Sequence, residues 1–326
     1  MLTRKTQVLI KAEDSNGTWK APGETNGILA YDVVATPAFE MFKRDPMYAD
    51  LSRFKSLVGK QTASITFRTE MRGDGATVDA PDNIQVLLLA CKMVVSGSTI
   101  VPKSATDTTI SIQVEEDGVW KQFKGCGGNV RITGTAGEPC FFEFTFTGTI
   151  HDITAGALTS LSGVPTTTPP VLISAVFTTN VGESQSHLIN TVEFDLQNEV
   201  VMSPDINAAT GVLAAKIVGR NPVGSFDPEY NTTYDWLDQI ISNTEGTLSL
   251  TIGSAQYNNM RITCPAIRFL SMDPLDRDGI RCLTVPFEIN RSSGNDEIVL
   301  DWSDLLTVNE YEEITIAEDI DGSIPA

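Results

Sequence analysis

Two histidines, five cysteines and one glycine-rich tetrapeptide are the residues of this chain that first invite a chemical reading. His151 and His187 are far apart, and neither has a Ser or Cys nearby in a strained-turn context, so a nucleophile–base pair has no sequence support. Two histidines are also too few for a histidine-ligated metal site. Cys91, Cys126, Cys140, Cys264 and Cys282 are odd in number and widely spaced, with no C-x-x-C. They read as free thiols behaving as small apolar residues. Gly125-Cys126-Gly127-Gly128 has the composition of a phosphate cradle, but no Lys-Ser or Lys-Thr follows and the next element reads as a strand. A tight turn is expected there. Asp273-Pro274-Leu275-Asp276-Arg277-Asp278-Gly279 sets acids before a glycine, as a calcium loop does. Val285 stands where the closing glutamate would be, so the segment reads as a hairpin turn. Arg68 with Glu70, and Arg220 with Asp227 and Glu229, read as surface or interface pairs. Trp19, Trp120, Trp236 and Trp302 are scattered and offer no stacking platform. No catalytic, metal or cofactor-binding residue is assigned, and a protein that is not an enzyme is expected.

Charge excludes further classes. The 326 residues carry 42 acidic and 23 basic side chains, a formal net charge of −19. A nucleic-acid binder needs a basic patch for the phosphates. No apolar run approaches the roughly 18 residues needed to span a bilayer. Residues Met1 to Lys11 lack the apolar stretch and cleavage site of a signal peptide. Neither membrane insertion nor a signal peptide is therefore expected. Residues 1–160 hold 16 basic and 18 acidic side chains, whereas residues 161–326 hold 7 and 24. The two halves thus present different surfaces. The segment Glu310 to Asp321 has six acids and no base, and reads as a solvated tail or a negatively charged arm.

The elements that would carry these residues follow one plan, stated twice. The length predicts about two domains, at roughly 150 residues each. The boundary falls in the small, Pro- and Thr-rich stretch 158–170, giving units 1–157 and 171–326 on either side of an extended linker. In the first unit Gly27–Val34 reads as a strand, followed by a polar excursion from Phe39 to Lys60. Ala63–Met71 alternates as a strand, with Ile65, Phe67 and Met71 opposite Arg68 and Glu70. After the turn Arg72-Gly73-Asp74-Gly75, Ile84, Leu87, Leu88 and Cys91 mark one face of a short helix with an Asp start signal. Strands follow at Thr108–Val114, Asn129–Thr133 and Cys140–Ile150, the last with Phe142, Phe144 and Phe146 on one face. The second unit repeats this order. Its strands are Thr191–Leu196, Val212–Arg220, Gly246–Ile252, Asn259–Thr263 and Gly279–Ile289. It has a shorter excursion at Val200–Gly211, a loop at Asn221–Glu229, and a helix from Tyr234 to Ile241 whose apolar face is Trp236, Leu237, Ile240 and Ile241. The expected fold is mainly β: two tandem β-sandwich or barrel domains, each with one short helix, with extended loops and terminal arms.

The ordered set resembles the major tail protein, or tail-tube protein, of long-tailed bacteriophages, of the kind with two tube domains fused in one chain. The resemblance rests on three features. They are Ala63 to Gly75 with Ala80-Pro81 and the following helix, Gly211 to Arg220 leading into Asn221–Glu229, and Gly279 to Asn290 followed by Ser292 to Ile298. It implies a structural subunit of a non-contractile tail tube in the virion, assembled in the host cytoplasm. Each half would supply four inner strands, three chains would make a pseudo-hexameric ring, and rings would stack around a tape-measure protein. Tail terminator and tail-tip proteins would cap the tube, and double-stranded DNA would pass through an acidic bore without specific binding. The resemblance puts ring stacking on Phe42, Lys43, Arg44, Asp45, Pro46, Met47, Tyr48, Arg53 and Phe54. Charge pairing between arms of adjacent rings would involve Arg4, Lys5, Glu312 and Glu313. Two other readings stay open: a secreted, adhesin-like tandem β-sandwich, and the inner tube of a contractile tail or secretion device.

Overall fold

Alternation along the chain becomes strand almost everywhere it occurs. The computed structural model describes residues 5–164 and 166–303. The first half holds β1 (Thr6–Ala12), β2 (Gly27–Ile28), β3 (Tyr31–Phe42), β4 (Leu57–Glu70), α1 (Asp82–Ala90), β5 (Met93–Ser96), β6 (Thr99–Pro102), β7 (Ile110–Glu116), β8 (Val119–Thr135) and β9 (Phe141–Ala155). The second half holds β10 (Val176–Val181), β11 (Glu183–Ser186), β12 (Ile189–Asp195), β13 (Asn198–Pro204), β14 (Val212–Arg220), β15 (Val223–Pro228), α2 (Trp236–Ile241), β16 (Gly246–Ala255), β17 (Asn258–Phe269), β18 (Asp273–Arg277), β19 (Ile280–Asn290) and β20 (Val299–Asp301). The mainly β expectation holds, and neither half closes into a barrel among the described residues.

Four strands from each half line up in one antiparallel run, β3-β4-β9-β8-β12-β15-β19-β18. Within this run the two halves meet at β8 and β12, where Thr191 lies opposite Thr135 and Asp195 opposite Arg131, and they meet again where β20 pairs with β6. Strands β8 and β9 are long enough to serve two layers. The front of β8 pairs with β7, which leads on to β1 and β2, while its end pairs with β12. To pass between layers a strand must bend, and a bulge is the cheapest way to do so. Gly125-Cys126-Gly127-Gly128, expected as a tight turn, is that bulge: the β8–β9 register slips between Lys124 and Gly127, and Gly125 has φ of +60°. The expected loop Asn221–Glu229 is likewise strand for most of its length, as β15, because β12 and β19 flank and pair with it.

Packing follows the aromatic pattern. Phe142, Phe144 and Phe146 are all buried on the face the alternation assigned to them, with Phe144 and Phe146 stacked at 5.6 Å and Phe67 tilted against both. In the second half Phe226 sits among Phe177, Phe269 and Phe287, and Trp236 packs on Phe269 at 5.5 Å. Helix α1 buries Ile84, Leu87 and Leu88 as expected, although Pro81 and not Asp82 is its N-cap. Helix α2 is shorter than expected and is capped by Asp235, which accepts from the Asp238 amide at 3.0 Å. Of its expected apolar face only Trp236 is buried; Leu237 and Ile241 are exposed. All five cysteines are buried free thiols.

Two buried carboxylates replace what loops would otherwise leave unpaired. Glu13 accepts from the amides of Gly17 and Gly125 and from the hydroxyls of Thr109 and Ser111, tying the β8 bulge to β1 and β7. Glu115, fully buried, accepts from the amide and hydroxyl of Thr159. The extended linker is therefore fastened to the first half. Further along, Thr168 accepts from Asn258 of the second half at 2.8 Å.

His187 lies among Phe177, Phe226, Tyr234 and Trp236, bonded to Thr179 at 2.8 Å. Burial pushes its pKa down from 6.5 to about 4. The unfolded chain binds this proton first, so stability is full above pH 6.5 and declines as pH falls toward about 4. A His187→Phe variant should lose that part of the acid sensitivity, read as urea midpoints measured between pH 7 and pH 4. A midpoint profile identical to the wild type would contradict it.

Candidate functional site

Among the described residues a hairpin, two strand edges and one face of the eight-strand run stand exposed. The hairpin is β3–β4. The expected polar excursion Phe39–Lys60 is largely its outer stem, with Phe39 opposite Gln61, Met41 opposite Val58 and Phe42 opposite Leu57. Only residues 43–56 lie outside strands. The stem is apolar and bare: Phe39, Met41, Phe42, Leu57 and Val58 are all exposed. A monomer gains nothing by displaying such side chains, and an apolar stem of this kind marks an interaction surface.

At its tip the structure gathers three of the residues singled out from sequence. The Arg44 guanidinium lies 5.6 Å over the Phe54 ring, and Tyr48 meets Phe54 edge-on at 5.9 Å. Met47 is fully exposed, as is Leu51, which sequence reasoning did not single out. Lys43, Asp45, Pro46 and Arg53 are exposed around them. Lys5 faces Asp117 of its own chain at 3.9 Å. Arg4, Glu312, Glu313 and the acidic segment from Glu310 lie outside the described residues.

The ends of the eight-strand run are β3 and β18. Among the described residues, β3 pairs only with β4, and β18 only with β19. The segment expected as a hairpin turn is this terminal strand, with the turn confined to Asp278 and Gly279. Proline is accommodated within a strand where its nitrogen faces away from the ladder. The nitrogen of Pro37 therefore lies on the open side of β3, and alternation places the Ala35 amide there too. Pro274 occupies the corresponding place in β18.

The sheet face opposite the phenylalanine core is hydroxyl-rich, with Thr66, Thr133, Thr135, Thr145, Thr147 and Thr191 on neighbouring strands. Its arginines are each held by carboxylates. Arg131 grips Glu193 with two bonds of 2.6 Å and reaches Glu143 at 3.3 Å, so it bridges the two halves. The Glu193 hydrogen bonds raise its pKa further. Arg68 pairs with Asp32 at 2.7 Å above the Phe141 ring, and Arg268, on β17 beside the run, pairs with Glu288 of β19 at 2.8 Å. The pairs expected from sequence proximity are thus re-partnered. Glu70 binds Arg72 and Tyr31, Arg220 binds Glu297, and Asp227 and Glu229 bind Arg277. The alternation Asn129–Thr133 marks Arg131 as outward-facing. Nothing local to it announces a partner at Glu193.

Among the described residues no group of three His, Cys, Asp or Glu side chains could hold a metal ion. No helix there is long and apolar enough to cross a membrane. What the chain offers is strand edge and apolar stem, the equipment of a structural β protein that joins to other chains. A family model for the phage tail tube protein matches residues 3–302, and the chain belongs to that family. It is a viral structural protein of the tail, a subunit of a self-assembling tube. No curated protein matches the chain.

The bidentate Arg131–Glu193 bond should matter at the joint between the halves. Arg131→Met should speed hydrogen exchange of the Thr191–Asp195 amides several-fold, since a partly exposed pair of this kind contributes about 1 kcal/mol. Unchanged exchange there would remove the arginine from the joint.

Proposed function

We propose that this chain forms closed rings by pairing β3 of one copy with β18 of the next, and that the rings stack into a DNA-conducting tail tube. The observation that carries this reading is the eight-strand run with an open edge at each end, one on each half. A long open edge bearing exposed apolar side chains is a template for another strand. Two different edges make a head-to-tail contact, which closes into a ring when the rotation permits. The two halves, 1–157 and 171–326 joined by 158–170, act as two tube domains, and the internal β8–β12 joint serves as the pattern for the joint between chains.

Three copies supply about 24 strands. At roughly 4.8 Å spacing and ~40° tilt the circumference is about 150 Å and the backbone diameter about 48 Å, wide enough for a DNA duplex after side chains are allowed for. The hydroxyl-rich face lines this bore. Its arginines are already bonded to Glu193, Asp32 and Glu288, so they offer phosphates little grip, and DNA slides. A tape-measure protein occupies the bore during assembly in the host cytoplasm. Terminator and tip proteins close its ends. The hairpin tip around Arg44, Tyr48 and Phe54 carries contact with the next ring, assisted by the terminal arms.

Ala35→Pro removes a donor from the open edge of β3 and leaves the pairing with β4 in place. The expected result is a folded monomer that makes no rings in electron micrographs across a concentration series in which the wild type does. Normal rings from this variant would overturn the edge-pairing reading. Arg44→Glu should leave rings intact while shortening the stacks and making them sensitive to salt. Tubes of normal length and salt resistance would take the tip out of the stacking contact.

A further inference from the structure

The chain contains two hairpins built alike, one seated and one bare. Strands β12 and β13 run out and β14 and β15 run back, as β3 runs out and β4 back. Near the base, each hairpin has one extra residue on its outgoing strand: Tyr31↔Arg68 passes to Val34↔Thr66, and Ile189↔Pro228 passes to Val192↔Phe226. Further out, both gain an extra residue on the returning strand: Phe39↔Gln61 passes to Met41↔Val58, and Glu199↔Gly219 passes to Val200↔Ile217; the second hairpin has another nearer its turn, where Met202↔Ala215 passes to Pro204↔Val212. Bulges reset twist and direction, so the two bulges shared in the same order give the two hairpins the same course, the third lying near the turn of the second.

The second hairpin bends at Leu196–Gln197 and lies down on the first half. There a Cβ on Gly125 would stand 2.9 Å from the Ala214 Cα, and one on Gly127 would stand 3.1 Å from the Ala215 Cβ. Lys92, just beyond α1, donates to the Ile217 carbonyl at 2.8 Å, and Asn198 donates to the Cys91 carbonyl at 2.8 Å. The hairpin's turn touches the β4 stem, where the Gln61 amide donates to the Thr210 carbonyl at 3.0 Å. The corresponding ground on the second half is the end of α2, the point where β17 ends, and the β14 stem. Each displays an exposed apolar side chain, Ile241, Leu270 and Val218 respectively.

We infer that the β3–β4 stem, through Met41, Leu57 and Val58, docks on the second half of the neighbouring copy against Ile241, Leu270 and Val218. This rests on the ring reading above and divides the hairpin's work: the stem locks copies within a ring, and only the tip is left for the next ring. Charge selects the same partner. Residues 39–60 carry five basic and three acidic side chains, and residues 161–326 carry 7 basic against 24 acidic, whereas residues 1–160 are nearly balanced at 16 and 18. A basic hairpin approaching an acidic half is drawn to it, and the attraction weakens with salt.

The test uses two full-length variants, Val58→Cys and Leu270→Cys, mixed as monomers, taken to assembly conditions and treated with a short bis-maleimide. Both sites are exposed and the native cysteines are buried, so both variants should fold and the background should be low. The expected result is a cross-linked heterodimer containing one of each variant, absent when either is assembled alone. Met41→Cys mixed with Val218→Cys gives a second, independent pair. Rings that form with no heterodimer from either pair overturn the docking while leaving edge pairing standing. A wild-type chain that forms no rings at any concentration overturns the ring reading and the docking with it.

Discussion

The structure depends on the antiparallel pairing of β8 with β12. That ladder, five residue pairs from Thr191↔Thr135 to Asp195↔Arg131, carries the eight-strand run from one half into the other, and β20 ties the halves a second time by pairing with β6 and β17. Without it each half would have an open edge at the middle of the chain, and each such edge is an aggregation hazard. With it, only the outermost strands of the eight-strand run stay open among the described residues. The joint is reinforced on its hydroxyl-rich face by Arg131 between Glu143 and Glu193, and by Asn129, which donates to Asp195 at 2.7 Å. Its opposite face is dry, with Ile132 and Phe194 opposite one another and buried.

Making that joint constrains the rest of the first half. β8 has to leave the layer it shares with β7 to reach β12, so it needs a sharp change of direction in mid-strand. Glycine at 125, 127 and 128 supplies it, and the same absence of side chains opens the floor on which β14 lies. Glu13 then holds the bulge from beneath through the Gly125 amide. Bulge, joint and seated hairpin are thus one device. The open end of the sheet at β3 has a hairpin that shares this construction, and among the described residues its apolar stem is left exposed, so self-association is the physical resolution.

Much of this was legible in the sequence where a single strand's alternation decides the outcome. The buried Phe142–Phe144–Phe146 face, the outward position of Arg131 and the helix face of Ile84, Leu87 and Leu88 all follow from local periodicity. What was not legible depends on partners distant in sequence. The glycine tetrapeptide reads locally as a turn, and only the demand for a layer change makes it a bulge. Asn221–Glu229 carries turn-forming residues, yet β12 and β19 on either side hold its larger part in a sheet. Asp273–Arg277 reads as a turn for the same reason, while β19 makes it the terminal strand. The excursion Phe39–Lys60 reads as polar from its charged tip, although its stem is apolar and paired. Of the candidate site, the tip cluster of Arg44, Tyr48 and Phe54 was reachable from sequence; the open edges of β3 and β18 were not, because an edge is defined by the strand that is missing beside it.

The most direct measurement is an electron cryomicroscopy map of the assembled protein at a resolution that separates strands. The account predicts an unbroken inner sheet in which β18 of each copy lies antiparallel to β3 of the next, in a ring of three chains. A map in which β3 stands free of its neighbours, or pairs with β3 of a second copy, would contradict it.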